Sequence, residues 1–145
     1  MASWRDGLSD ETQSQIDRLL EPALDFAEKA LIADRSIYPF AIALSTADEF
    51  ELHMLGAPEQ GETDGAVIVE QVTDALRHHR DGLTSYALVV DVRLRTPDSD
   101  AAELRIEHRA GAAITVHVPY RFDGGSLVLA LDAMIVSPGE RVVWP

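Results

Sequence analysis

The most constraining feature of this sequence is an alternation of apolar and polar residues in its second half. Two adjacent runs carry apolar side chains at every second position, with charged residues among the positions between them. The alternating positions are Tyr86, Leu88, Val90, Val92 and Leu94 in the first run, and Leu104, Ile106 and His108 in the second. A period of two is typical of a β-strand with one buried face. The two runs therefore predict a β-hairpin that turns at residues 96–100.

The register of this hairpin follows from the requirement that the two apolar faces coincide. Pairing Val92 with Leu104 meets that requirement and sets Val90 opposite Ile106. The same register places charged residues opposite residues of unlike charge, which is favourable across two strands. The resulting charge pairs are Asp91 with Arg105 and Arg93 with Glu103. We therefore predict a ladder of ion pairs on the outer face of this hairpin.

Two helices are predicted in the first half of the chain. Apolar residues at three- and four-residue steps indicate an amphipathic helix from Ser9 to about Ala33. Because Pro22 lacks an amide hydrogen, we expect either a kink there or two abutting helices. A second helix is predicted from about Asp64 to Arg80, where Gly82 ends it.

The remaining strands are short. Alternation from Phe40 to Met54 predicts a hairpin that turns at residues 46–49. A third strand of the second half follows Gly111 and is expected to pair Ile114 with His108. Pro119 near its end indicates a sheet edge or a bulge. A final strand, apolar on both faces, is predicted from Ser126 to Val136.

These elements give the order α-β-β-α-β-β-β-β in a chain of 145 residues, the length of a single domain. Strands joined by short turns pair antiparallel. We therefore expect one α+β domain over residues 1–145, built as a two-layer sandwich in which two helices cover one face of a mainly antiparallel sheet. The sequence has no cysteine, so thiol nucleophiles, disulfides and thiolate metal sites are excluded.

The charge is strongly negative and unevenly distributed. The formal net charge is −13, of which −12 falls on residues 1–74 and −1 on residues 75–145. Such a field repels phosphate backbones and anionic lipids, so neither a nucleic acid nor a membrane surface is expected as a partner. Since no signal peptide and no membrane span are apparent, we expect a cytoplasmic protein.

An acidic stripe on the first helix is the candidate partner-binding surface. Its members are Asp17, Glu21, Asp25 and Glu28, each about one helical turn from the next. Like charges at this spacing repel weakly. The stripe is therefore either a solvated helix face or a docking surface for a basic protein.

A second candidate site lies on the outer face of the sheet. The register of the third strand brings His117 beside Arg105 and near Glu107, where a histidine and a carboxylate could act as acid and base. Tyr120 lies further along the same strand. The alternative is a solvated strand face that carries cross-strand charge pairs.

The other histidines and acidic clusters favour structural roles. His78 and His79 fall in the last turn of the second helix, where cations complement the helix dipole. His108 falls on an apolar strand face and is expected to be a hydrogen-bonded core histidine. The acids in residues 59–64 lack the spacing of a calcium loop. No nucleotide-binding or hydrolase motif is found, and neither a metal nor a cofactor is predicted.

Four short segments carry a resemblance to a known group of proteins. They are Tyr38-Pro39-Phe40-Ala41, residues 87–93, Glu107-His108-Arg109 and Val118-Pro119-Tyr120-Arg121. Over Leu24 to Trp144 the chain resembles small uncharacterised bacterial proteins with a YPFA-type first strand. The resemblance implies no activity and no catalytic residues. Where such proteins carry Asp-Gly-Glu in the first hairpin turn, this chain has Ala47-Asp48-Glu49.

Together these observations favour a non-catalytic binding or interaction protein whose acidic N-terminal half binds a basic partner, as an immunity protein would. The alternative is a small enzyme or small-ligand-binding protein that uses the outer sheet face around Glu107, His117 and Tyr120, with Arg105. The final strand, apolar on both faces, also allows a homodimer through that strand.

Overall fold

The computed structural model describes residues 4–54, 65–96 and 98–145. Two helices and seven strands occur in this part of the chain. They are α1 (Asp10–Asp34), β1 (Phe40–Ser45), β2 (Phe50–Met54), α2 (Gly65–His79), β3 (Leu83–Leu94), β4 (Ser99–His108), β5 (Ala113–Asp123), β6 (Ser126–Leu129) and β7 (Ile135–Pro138). Short 3-10 turns at Arg80–Gly82 and Leu131–Ala133 follow α2 and β6.

Helix α1 begins and ends where the sequence predicts. Ser9 caps it, since its hydroxyl accepts a hydrogen bond from the Thr12 amide. Pro22 lies inside one continuous helix, so the alternative of two abutting helices is wrong. Leu19 and Ala23, on either side of Pro22, are both fully buried. Packing of this apolar face holds the helix together across the missing amide.

The strands form one antiparallel sheet in the order β2-β1-β3-β4-β5-β6, and β7 also pairs with β5. Every pairing in the described residues is antiparallel. The α+β class and the mainly antiparallel sheet are therefore confirmed.

The two helices lie on opposite faces of the sheet, so the prediction that both cover one face is wrong. Phe40, Ile42 and Leu44 of β1 pack in the cluster that contains the buried face of α1. The intervening Ala41 and Ala43 pack in a second cluster with Ile68, Val72 and Leu76 of α2. Strand β1 is buried on both sides because its small residues allow α2 to approach the backbone closely.

The hairpin of β3 and β4 exists, but its predicted register is wrong by three residues. Leu104 pairs with Val89 in place of Val92, and Ile106 pairs with Ala87 in place of Val90. The odd shift exchanges the faces of β3, so that Ala87 and Val89 point toward α1. Tyr86 and Leu88 instead point toward α2.

The predicted charge ladder is lost with that register. Asp91 pairs with Ala102 and not with Arg105. Arg93 forms ion pairs with Asp98 and Asp100 and not with Glu103. The two predicted pairs, Asp91 with Arg105 and Arg93 with Glu103, are therefore wrong.

The last predicted strand is interrupted. Residues 126–138 run along one edge of β5 as β6 and then β7, separated by the turn at Leu131–Ala133. The interruption lies beside Pro119, whose carbonyl accepts the Ala130 amide at 2.8 Å. Because Pro119 has no amide hydrogen to donate back, the ladder cannot continue past it. The prediction of one continuous final strand is wrong. Neither a sheet edge nor a bulge is found at Pro119, because β5 lies inside the sheet and pairs with β4 through Pro119 without a register shift.

Candidate functional site

A cleft of about 560 Å³ lies between α2, the sheet and the C-terminal segment 138–144. Polar and apolar side chains from all three parts of the molecule line it. This volume falls in the range of roughly 300–1,000 Å³ that is usual for small-molecule sites. The cleft is the candidate functional site.

Helix α2 supplies one wall of the cleft. Val69, Thr73 and Arg77 line it at four-residue steps, and Glu70 lies beside them. Residues at this spacing share one helix face. The neighbouring face of α2 carries Ile68, Val72 and Leu76, which are buried against the sheet. This apolar contact fixes the helix and presents its polar residues to the cleft.

The sheet supplies the floor. Leu88, Arg105 and Thr115 lie in one row across β3, β4 and β5. The Arg105 side chain is 47% exposed, and its Nε donates to Glu103 Oε2 at 2.7 Å. Arg105 thus reaches the cleft on the face of the sheet that α2 covers, between an apolar and a hydroxyl side chain.

Glu103 joins Arg105 to His117. Glu103 Oε1 is 2.9 Å from His117 Nε2, and the two residues are directly paired across β4 and β5. Burial raises the pKa of Glu103, but the hydrogen bonds and positive charges of Arg105 and His117 outweigh it, so the pKa lies below its ordinary value. Glu103 therefore stays ionised and holds both partners in place.

The residue opposite His117 is thus Glu103 and not Arg105, and the predicted proximity of His117 to Glu107 is wrong, because Glu107 pairs with Ala113. The predicted register set Ile114 opposite His108, whereas Ile114 pairs with Ile106. This shift by two residues keeps the faces of the strands and moves the partner by one position on the same face.

Glu107 is instead buried beneath the C-terminal segment, with 1% of the residue exposed. Its Oε1 accepts hydrogen bonds from the Tyr86 hydroxyl at 2.8 Å and from the amides of Val142 and Val143 at 3.1 and 2.9 Å. Its Oε2 accepts from the Trp144 amide at 2.9 Å. These four donors compensate the burial of the charge.

Two arginines hold the same segment from the side of α2. Arg77 Nε donates to the carbonyl of Val142 at 2.8 Å, and Arg80 donates to the carbonyl of Val143 at 3.3 Å. Glu107 accepts hydrogen bonds from the amides of this segment, and the two arginines donate hydrogen bonds to its carbonyls. The C-terminal segment, which forms the other wall of the cleft, is therefore fixed to both the sheet and the helix.

Tyr86 lies between the cleft and Glu107. Its pKa is raised by burial first, and then by the charge of Glu107 and the hydrogen bond to it. The hydroxyl therefore remains protonated and acts as a donor to Glu107. Its ring lies 6.1 Å from that of Trp144.

Tyr120 does not belong to this site. It lies on the α1 face of the sheet in the cluster with Ile114 and Val116. Its hydroxyl donates to Asp91 Oδ1 at 2.7 Å, and Asp91 Oδ2 accepts the amide of Ile37 at 3.1 Å. The predicted set is thus divided, because successive residues of β5 point to opposite faces.

The acidic stripe on α1 is partly neutralised by neighbouring cations. Arg5 donates two hydrogen bonds to Asp17, at 2.8 and 2.7 Å. Lys29 forms an ion pair with Asp25 at 3.1 Å. Glu21 and Glu28 are exposed to solvent. Four carboxylates of the stripe therefore remain on the surface, but two of them carry a partner.

The remaining histidines are placed as follows. His78 and His79 end α2, as predicted. His108 is 4% exposed and contacts Gln15 of α1, which confirms a hydrogen-bonded core histidine. The side chain of His53 and the acids of residues 59–64 lie outside the described residues. Within residues 4–54, 65–96 and 98–145, no group of three or more potential ligands could hold a metal ion.

Several residues of the cleft were missed by sequence reasoning. Glu103 was assigned to a charge pair with Arg93, although it lies two residues from Arg105 on the same strand face. Glu70, Thr73 and Arg77 share one face of α2, a signal that the spacing alone could have revealed. The position of this face opposite Arg105 depends on the sheet having a helix on each side.

Comparison of the chain with protein-family models, curated proteins and solved structures finds no match. The resemblance to proteins with a YPFA-type first strand therefore stays a prediction. Neither α1 nor α2, the α-helices of the described chain, has the length and hydropathy needed to cross a membrane.

Proposed function

We propose that this protein binds a small organic ligand in the cleft between α2 and the sheet. The observation that carries the proposal is that polar side chains from α2, β4 and β5 converge on one concave site, together with apolar ones. This proposal corresponds to the small-ligand-binding protein that the sequence offers as an alternative function. Its site is centred on Arg105 and does not include Tyr120. A flat strand face with charge pairs would not provide such a volume.

The lining indicates an amphipathic ligand. Val69, Leu88 and Val142 offer aliphatic surface to an apolar body. In the described part of the chain, Arg105 donates only from Nε, to Glu103, so its two Nη groups can bind an anionic group of the ligand. Thr115, next to Arg105 in the row across the strands, adds a hydroxyl.

Binding without covalent catalysis fits the contacts of the histidines. Among the described residues, His117 bonds only to Glu103, and His108 bonds to Gln15 and to the amide of Ala110. A serine or threonine nucleophile is activated by a hydrogen bond from its hydroxyl to such a base, and neither histidine makes one within the described ranges. The contacts support a site that holds a ligand between fixed walls.

A fragment screen by protein-observed NMR tests this proposal. We expect hits to shift the amide signals of Val69, Thr73 and Thr115, and Thr115→Trp to abolish those shifts by filling the cleft. Thr96→Trp, at an exposed turn outside the cleft, is the matched control and should leave binding unchanged. Hits that map elsewhere, or that survive Thr115→Trp, would contradict the proposal.

A second candidate function is the binding of a basic partner by the N-terminal half. Glu21 and Glu28 are exposed, and exposed apolar residues occur beside this helix on β2. A surface that combines acidic and apolar side chains favours a basic partner over a free cation. Affinity that is unaffected by salt would contradict this second function.

A further inference from the structure

Strand β2 lies at one end of the sheet. It pairs with β1, and no other strand of the described residues pairs with it. Its outer edge therefore carries amide and carbonyl groups without a strand partner in the described part of the chain. Such an edge is a template for an additional strand.

The hydrogen bonding of the β1–β2 hairpin shows which groups face outward. The Ser45 amide donates to the Glu49 carbonyl at 2.8 Å, so these two residues form a hydrogen-bonded pair. In an antiparallel ladder, bonded and non-bonded pairs alternate. Phe50 and Leu52 therefore occupy non-bonded positions, and their amide and carbonyl groups point away from β1.

The side chains of the same two residues are exposed. Phe50 is 47% and Leu52 45% exposed, although they lie on the α1 face of the hairpin opposite Leu44 and Ile42. Phe26 of α1, 42% exposed, lies against Phe40 of β1, with ring centroids 6.0 Å apart. Large apolar side chains grouped at an open edge mark an interaction surface.

A groove of about 450 Å³ joins this edge to the acidic stripe of α1. It is lined by Phe50 on one side and by Glu21, Pro22 and Asp25 on the other, with Arg18 between them. Arg18 lies over the Phe50 ring at 5.4 Å and pairs with Asp48. A guanidinium group already occupies the face of this ring, which shows the kind of side chain that fits there.

We propose that the outer edge of β2, at Phe50 and Leu52, binds an extended basic segment of a partner protein as an additional strand. The backbone of the segment would pair with Phe50 and Leu52, and alternate lysine or arginine side chains would lie in the groove against Glu21 and Asp25. This inference rests on the second candidate function and names the surface that performs it.

Charge excludes a second copy of this chain as the favoured occupant. Two copies joined through β2 would bring Glu49 and Glu51 of each strand close to those of the other, and each chain carries a net charge of −13. Like charges juxtaposed across an interface oppose association. A basic segment meets the same surface with complementary charge.

Binding of two labelled peptides to the full chain tests the proposal. One peptide alternates arginine with valine over eight residues, and the other replaces each arginine by glutamate. Fluorescence anisotropy at low salt should detect the arginine peptide alone. Hydrogen exchange followed by NMR should show new protection at the outward amides of Phe50 and Leu52 when that peptide is bound.

Paired variants separate a local site from general attraction. Glu21→Lys with Asp25→Lys should weaken binding of the arginine peptide about tenfold or more. Asp123→Lys with Asp132→Lys changes the net charge equally, at exposed positions away from β2, and should weaken it far less. Leu52→Pro removes one outward amide and should abolish binding. If that variant does not fold, new protection of the Phe50 amide in the wild-type protein with the arginine peptide bound is the deciding measurement.

Several outcomes would overturn the inference. Equal losses in the two paired variants, or binding without new protection at Phe50 and Leu52, would leave a basic partner possible but not at this edge. Outward amides already protected in the free protein, or dimers in light scattering that β2 variants abolish, would show that the edge is occupied. No binding of the arginine peptide up to about 1 mM would refute the second candidate function as well.

Discussion

Glu107 and Trp144 are joined by a hydrogen bond of 2.9 Å from the amide of Trp144 to Oε2 of Glu107. This bond, with those from Val142 and Val143 to Oε1, attaches the C-terminal segment to the middle of the sheet. Val143 is fully buried in the cluster beside α2. One carboxylate therefore holds the amides of residues 142–144 against the sheet.

Replacing Glu107 by Gln is expected to lower the free energy of unfolding by about 2–4 kcal/mol, because an amide group would face the donors that the carboxylate accepts. Equilibrium denaturation measures the change. Glu140→Gln, at an exposed position of the same cleft, is the control and should change stability by less than about 0.5 kcal/mol. Equal effects of the two substitutions would show that Glu107 does not anchor the segment.

Gly139 allows the C-terminal segment to lie against β5. A Cβ placed there would come within 2.8 Å of the carbonyl carbon of Ile114, and the Gly139 amide donates to the carbonyl of Ala113 at 3.1 Å. Gly139→Ala is expected to destabilise the protein by about 1–3 kcal/mol, since backbone must move. Gly82→Ala meets no atom within 4 Å and is the matched control. A Gly139 variant as stable as wild type would contradict this account.

The class of the fold and the bounds of its helices could be predicted because local signals define them. Ser9 provides a cap and the apolar period defines α1, while the turn at residues 46–49 defines the first hairpin. The arrangement of layers could not be predicted in this way. Ala41 and Ala43 are small, so the sequence does not mark their side of β1 as a buried face. In the structure they form the surface of β1 that packs against α2.

The prediction of the register between β3 and β4 is wrong for a related reason. Strand β3 is apolar on both faces, so matching its larger residues to Leu104 and Ile106 selected the wrong face. Opposite charges then agreed with the wrong register by coincidence, because arginine and acidic residues alternate along both strands. Only the position of α2 decides which face of β3 is which. The cleft, which lies under α2, could not be located without that knowledge.

Tyr120→Phe should affect stability without affecting ligand binding, because Tyr120 and the cleft lie on opposite faces of the sheet. Loss of the 2.7 Å bond leaves Asp91 with the amide of Ile37 alone, so we expect a loss of about 1–2 kcal/mol in the free energy of unfolding. Fragment binding in the cleft should be unchanged, because Tyr120 lies on the opposite face. Tyr38→Phe is the control for loss of a tyrosine hydroxyl. Reduced fragment binding in a stable Tyr120→Phe variant would place Tyr120 in the functional site after all.

His108 is expected to make stability depend on pH. Its Nδ1 accepts the Ala110 amide at 3.0 Å, so Nε2 carries the proton and donates to Gln15 Oε1 at 2.6 Å. Burial lowers the pKa of His108 first, and the charge of Arg109 lowers it further, while Glu11 opposes both. The folded state therefore keeps this ring neutral to a lower pH than the unfolded state does.

The direction in which stability changes with pH follows from proton binding by His108 in the folded and unfolded states. As pH falls below the ordinary histidine pKa of 6.5, the unfolded chain takes up a proton at His108 before the folded chain does, so the free energy of unfolding decreases. The contribution is complete above that pH and is lost toward the lower pKa of the folded state, with a slope of at most about 1.4 kcal/mol per pH unit. His108→Asn, which keeps an acceptor for Ala110 and does not titrate, should show a flatter profile in denaturation series between about pH 5 and 7. Because the other histidines are the same in both proteins, the difference in slope isolates His108. Parallel profiles would show that His108 titrates alike in the folded and unfolded states.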